Sequence, residues 1–179
     1  MRSNIPSVTL WLWWLLTFVG FPVGGGLAYL AARALDGTAG AAIGGAITGA
    51  VVGIAQWLVL RQSLAVNAWW IVATGVGLAA GLGIGTAVAG TGTDPRALVI
   101  RAAITGLLVG GLQWMILRQH VPASGAWIGA TAAAWVIGWL VTRAIGVDLS
   151  RGWTVLGASG ALAYAALTGV TLVWLVRCP

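Results

Sequence analysis

The chain contains no lysine, no glutamate and only three aspartates, Asp36, Asp94 and Asp148; its remaining formal charge is nine arginines. His120 is its one histidine and Cys178 its one cysteine. Each shortage removes a class of chemistry. Without lysine there is no amine for a covalent retinal Schiff base. One histidine rules out paired axial haem ligation, and a catalytic serine would have only His120 as its base. A lone cysteine forms no intramolecular disulfide and no cysteine-rich metal site. The long apolar segments hold no Asp, Glu, Lys or His, the usual carriers of an intramembrane proton relay. The run GLGIGTAVAG from Gly81 to Gly90 has the glycines of a nucleotide loop but no lysine after it, and reads better as packing glycine on an apolar helix. These absences point away from an enzyme and from a metal site.

What is abundant is apolar: 60% of the 179 residues are hydrophobic and 7% charged, where soluble domains carry about a quarter charged residues. Water is the wrong solvent for such a chain. A bilayer core of about 30 Å takes about 20 apolar residues per helix, and six segments meet that need: Thr9 to Ala32, Gly40 to Leu60, Trp69 to Val88, Leu98 to Leu117, Trp127 to Val141 and Trp153 to Val176. The first is too long for a signal-peptide core and reads as a retained span, with Pro22 positioned to kink it. The arginines stand singly at segment ends rather than clustered on one solvated face, so the basic balance marks membrane flanks and not nucleic-acid binding.

A repeat organises these segments. Ala46 to Gln62, AITGAVVGIAQWLVLRQ, matches Ala103 to Gln119, AITGLLVGGLQWMILRQ, at 11 of 17 positions with a shift of 57 residues. Thr48/Thr105, Gln56/Gln113, Trp57/Trp114 and Arg61/Arg118 all recur, which apolar composition alone does not produce. The same shift pairs Trp70 with Trp127, Thr74 with Thr131 and Gly81 with Gly138, and reaches back to place Trp13, Thr17, Gly20 and Gly24 before Trp70, Thr74, Gly77 and Gly81. Two hairpins result, about residues 40–96 and 97–153, with span 1 (9–32) a half repeat and span 6 (153–176) a weak one. The close of span 6, Trp174 to Arg177, echoes Trp57 to Arg61. If it supplies the missing half, spans 6 and 1 form a third hairpin. The expected fold is an all-α integral membrane protein of about six transmembrane helices in parallel two-helix repeats, with a pseudo-threefold ring as the extension of that reading.

Charges fit the helix dipole: Asp36, Asp94 and Asp148 precede even-numbered spans, with Asp94-Pro95 a cap followed by proline, and Arg61, Arg118 and Arg177 end them. Arginine counts do not orient the chain, with four on the N-terminal side (Arg2, Arg61, Arg118, Arg177) and five opposite. Both termini are expected on one side of a bacterial inner membrane, the cytoplasmic side being slightly favoured.

Nine of the twelve tryptophans gather towards the N-terminal side. Trp13, Trp57, Trp70, Trp114 and Trp127 read either as an aromatic belt at the interface or as a surface for a lipid, pigment or neighbouring subunit. Helical spacing puts Gly49, Gly53 and Gln56 on one stripe and Gly106, Gly110 and Gln113 on another, so each amide is aimed at a neighbouring helix. Gln56, Gln113, Thr17, Thr74 and Thr131 fall at similar depth, a shallow polar layer under the tryptophans. That layer is either interhelical hydrogen bonding or a ligand site or solute path. Arg101, the one charge inside a span, either snorkels to the surface, pairs with Asp94, Asp36 or Asp148, or acts in gating or anion binding.

The repeated TG-x3-G-x2-QW-x2-LR signature, Thr48 to Arg61 and Thr105 to Arg118, with Trp70-Ile-x-Ala-Thr and Trp127-Ile-x-Ala-Thr downstream, resembles polytopic membrane modules of bacteria. The resemblance covers spans 1 to 5 and implies no particular activity. Two functions remain in competition. One is a non-catalytic subunit or scaffold in a larger membrane complex, with lipid or a hydrophobic pigment between helices. The other is a small channel or facilitator.

Overall fold

The structure, a computed structural model, describes residues 6–32, 35–122, 124–147 and 158–177. Among these every regular element is helical. Helix α1 runs Ser7–Ala32, with Thr17–Val19 wound as a 3-10 turn; α2 is Gly37–Ser63, α3 Trp69–Ala89, α4 Pro95–Leu117, α5 Ala126–Ala144 and α6 Ala158–Arg177. Arg33, Asp148, Arg151 and the expected start of span 6 at Trp153 lie outside the described residues.

Five of the helices are long and apolar enough to cross a membrane; α5, with 19 residues, three of them tryptophan, and Arg143 in its last turn, is the sixth long apolar helix and falls short of that measure. The chain is an all-α, multi-pass membrane protein. Helix α2 outruns its apolar segment at both ends, because a change to polar residues marks the membrane boundary and not the end of the hydrogen-bond ladder. The side chains of Gln62 and Ser63 bond the carbonyls of Leu58 and Val59 four residues back in that last turn. Asp94 caps α4 as its sequence suggests, Oδ1 accepting from the Ala97 N–H at 3.1 Å with Pro95 in the first turn. Asp36 precedes α2 in extended conformation, but its side chain makes no capping bond.

Each helix packs against its neighbours in the chain, and α6 packs against α1, so the six close into a ring. The close approaches are made by glycine. A Cβ added at Gly24 of α1 would sit 2.8 Å from Thr48 Cα of α2, and one at Gly81 of α3 would sit 2.6 Å from Thr105 Cα of α4. On the other flank of the even helices, Gly49 meets the Thr74 carbonyl at 2.7 Å and Gly106 meets Ala132 Cα at 2.5 Å by the same measure. Both hairpins therefore use the same contacts, as small-residue packing between membrane helices requires.

The interior has two levels. At one end the starts of α1, α3 and α5 meet the ends of α2, α4 and α6 in a cluster containing Leu10, Trp14, Leu60, Trp70, Leu117, Trp127, Leu172 and Leu175. Further along, Phe21, Val52, Leu78, Ala102, Val109, Ala134, Trp135, Ala161 and Tyr164 form a second. Phe21, Trp135 and Tyr164 contact one another pairwise there, with ring centroids 5.4–5.8 Å apart.

Candidate functional site: a buried tryptophan and amide layer

The polar layer lies inside the ring. Gln56 and Gln113 are both 0% exposed, one from α2 and one from α4. Gln113 Nε2 donates to Gln56 Oε1 at 3.1 Å and to Thr74 Oγ1 at 2.9 Å, tying α4 to α2 and α3. Each amide oxygen also accepts an indole N–H from the helix that follows: Trp70 Nε1 to Gln56 at 3.1 Å, and Trp127 Nε1 to Gln113 at 2.9 Å. Thr74 returns its own hydroxyl proton to the Trp70 carbonyl at 2.8 Å. The layer is thus closed on itself over most of its donors, which is how an amide survives away from water.

Above it, Trp14, Trp70 and Trp127 are all fully buried and pack edge to face or tilted, with centroids 6.5, 5.8 and 6.2 Å apart around the triangle. Three such pairs contribute about 0.5–1.5 kcal/mol each beyond the area they bury. Trp70 and Trp127 are therefore core residues, not belt residues. The sequence criterion that placed them at the interface, proximity to a span end, does not distinguish a ring facing lipid from one facing the bundle axis.

What changes is the pairing of Trp13 with Trp70 and not its outer placement: Trp13 is 40% exposed, and the third corner of the triangle is its neighbour Trp14 at 0%. The cause is the 3-10 turn. Pro22 has no N–H to give the Phe18 carbonyl, and the turn around Phe18 tightens to three residues per turn. Trp14 then stands three residues before Thr17, where Trp70 stands four before Thr74. The hydrogen bonds record the missing residue: Thr74 Oγ1 bonds the carbonyl four back, Thr17 Oγ1 the carbonyl three back, Trp14 O, at 2.6 Å. A strict 57-residue shift across that point selects the wrong tryptophan.

Span 6 is also out of the expected register. Trp14 Nε1 donates to Thr168 Oγ1 at 2.9 Å, so Thr168 stands where Gln56 and Gln113 stand in the other two units. Gly138 of α5 approaches Gly160 of α6 as Gly24 approaches Thr48 and Gly81 approaches Thr105. The Trp174-to-Arg177 echo is not the structural counterpart of Trp57 to Arg61. Glycine contacts and the indole acceptor, rather than the terminal Trp and Arg, carry the correspondence.

The substitution of threonine for glutamine has a visible consequence. Around the triangle, Gln113 reaches the preceding unit's Gln56 and Thr74; Thr168, in the corresponding place, gives its proton to its own helix at Tyr164 O and is too short to reach across. Thr131, which corresponds to Thr74, has an unpartnered buried hydroxyl, and Gln56 Nε2 closes no hydrogen bond. Of the five polar residues read from the sequence, the structure joins Gln56, Gln113 and Thr74 in one network and leaves Thr17 and Thr131 buried beside it. Trp14 and Thr168 were not legible as parts of this layer.

Trp57 and Trp114 sit outside this core, half-buried. Their flat faces carry Arg61 and Arg118, whose guanidinium carbons lie 4.8 and 5.0 Å from the ring centroids. Trp57 Nε1 bonds the Val66 carbonyl across the α2–α3 turn at 3.1 Å. Arg101 snorkels. It donates to the carbonyls of Gly90 at 3.1 Å and Gly92 at 2.6 Å, fastening the α3–α4 loop; among the described residues it forms no ion pair with Asp36 or Asp94, and Asp148 lies outside them. Arg143 of α5 holds the same loop at Thr93 O, 2.8 Å away. Among the described residues no cluster of His, Cys, Asp and Glu has the makings of a metal site.

Comparison with known protein families, curated proteins and solved structures finds no match to this chain.

Proposed function

We propose that the chain is a non-catalytic membrane subunit or scaffold that packs beside other subunits of a larger membrane complex. The observation behind this reading is the triangle of Trp14, Trp70 and Trp127, which fills the axis above the polar layer, with the Trp70 and Trp127 indoles bonded to the two amide oxygens. A layer spent on holding helices together has little left to offer a passing solute. Glycine contacts close the helix–helix seams, so a lipid or pigment partner belongs on the outside of the ring. The outer face offers large apolar side chains such as Leu12, Leu30, Ile54, Leu58, Leu107 and Met115 to lipid or to neighbouring helices.

The same reading includes three further proposals. The chain arose from a duplicated two-helix unit, with α6 and α1 completing a pseudo-threefold set; it belongs with the bacterial polytopic modules that share its signature; and it resides in the bacterial inner membrane with both ends on one side, slightly favouring the cytoplasm. Extraction into native nanodiscs tests the subunit role. Specific co-purifying membrane proteins are expected, and a stable monomer with none would count against it.

The channel reading draws its support from two buried, unpartnered groups in the polar layer, Gln56 Nε2 and Thr131 Oγ1. It ranks second. Flux of small neutral solutes or anions through liposomes holding the wild type, abolished in the Gln56→Leu/Gln113→Leu double variant, would reverse the order.

A further inference from the structure

The end of the bundle that carries the tryptophan triangle is rimmed by three exposed arginines, Arg61, Arg118 and Arg177, one at the close of each even helix. Two of them have the same surroundings. Arg61 lies over the half-buried Trp57 ring, followed by Gln62 bonded back to Leu58 O; Arg118 lies over the half-buried Trp114 ring, followed by Gln119 bonded back to Met115 O. Arg177 differs, because its guanidinium is engaged by the Ser7 hydroxyl. The aspartates described, Asp36 and Asp94, precede α2 and α4 at the opposite end of the bundle.

We propose that Trp57/Arg61 and Trp114/Arg118 are two equivalent binding sites for the phosphate of anionic phospholipid headgroups. A guanidinium held over an indole by one face can offer its in-plane N–H fork to a ligand. That fork matches two oxygens of a phosphate. The indole itself belongs at headgroup depth, where its N–H meets a carbonyl and its ring meets acyl chain. The Trp57 N–H is already satisfied by Val66 O, so the ring stays fixed while the arginine is free to take a ligand. Lipid is the occupant favoured over a soluble anion, since the pairs lie at the ends of membrane-crossing helices with apolar residues such as Leu58 and Met115 exposed beside them. This inference is independent of whether the chain is a scaffold or a channel.

The test is native mass spectrometry of the full chain released from nanodiscs of equal phosphatidylglycerol and phosphatidylcholine. Up to two phosphatidylglycerol molecules should be retained in preference to phosphatidylcholine. An arginine near an anionic surface changes binding roughly fivefold, so Arg61→Gln/Arg118→Gln, which removes one arginine from each site, should weaken retention at each site roughly fivefold. Arg96→Gln, an exposed arginine at the other end, should leave it unchanged. Arg61→Lys/Arg118→Lys keeps the charge and loses the fork, and is expected to fall between; it also decides the matter if the glutamine variant is poorly made. Equal retention of the two lipids by the wild type, equal loss in Arg96→Gln, or binding of inorganic phosphate as tight as that of the lipid would each overturn the proposal.

Discussion

At the scale of single residues, the fate of an amide in a bilayer decides the interior. Gln113 makes three hydrogen bonds through one side chain, to Gln56, Thr74 and Trp127. Leucine in its place would fit the volume and strand the Trp127 indole N–H, a buried donor whose loss of partner costs about 1–3 kcal/mol. Gln113→Leu is therefore expected to lower stability by that amount in a detergent or SDS unfolding titration. Gln56→Leu should cost a similar amount, and the double variant less than the sum, because both lose the one Gln113–Gln56 bond. Strict additivity would show that the two amides do not interact. Thr168→Val offers a milder version: it keeps the shape, removes the acceptor for the Trp14 indole, and should cost about 1 kcal/mol. A shift in the near-ultraviolet tryptophan signal is expected with it, since Trp14 touches both Trp70 and Trp127.

At the scale of helices, the sequence announced the elements and their partners but not the winding inside one of them. Six apolar segments and the 57-residue self-match were readable because hydropathy and repetition are properties of the chain alone. So was the burial of Gln56 and Gln113, because glycines three and seven residues before each mark the face that meets another backbone. The exchange of Trp13 for Trp14 was not readable, since it depends on a 3-10 turn that one proline sets up within an otherwise regular helix. Nor was Thr168, because its equivalence rests on which carbonyl Gly138 meets and not on residue identity. The glycine faces give a prediction at this scale. Gly81→Ala puts a methyl 2.6 Å from Thr105 Cα and should destabilise by about 1–3 kcal/mol, because both contacting atoms are backbone or fixed to it. Gly111→Ala, on the next helix with nothing within 4 Å, should be neutral or stabilising by up to about 1 kcal/mol. Comparable losses in both would show that close interhelical approach does not set the cost.

For the whole molecule, ring closure binds the beginning of the chain to its end. Helix α6 packs against α1, the Ser7 hydroxyl contacts Arg177, and Leu10 shares a cluster with Leu172 and Leu175. An odd number of crossings would put the start of α1 and the finish of α6 on opposite faces of the membrane, which these contacts oppose. The doubtful crossing is α5: with 19 residues at about 1.5 Å each it reaches roughly 28 Å, barely the apolar thickness of a bilayer. Its burial argues that it crosses nonetheless, because Trp127, Thr131, Ala134, Trp135 and Gly138 face the interior along its length, and a helix lying on the surface would leave α4 and α6 without the partner between them. Reporters of accessibility fused before Thr9 and after Arg177 are therefore expected to agree, and cysteines introduced one at a time at Gln119 and Gly146, at opposite ends of α5, in a Cys178→Ser background, to label from opposite sides of sealed vesicles. If both cysteines label from one side, α5 does not cross; the tryptophan triangle would then lack its Trp127 corner in the membrane, and the ring as a whole would have to be rebuilt around five spans.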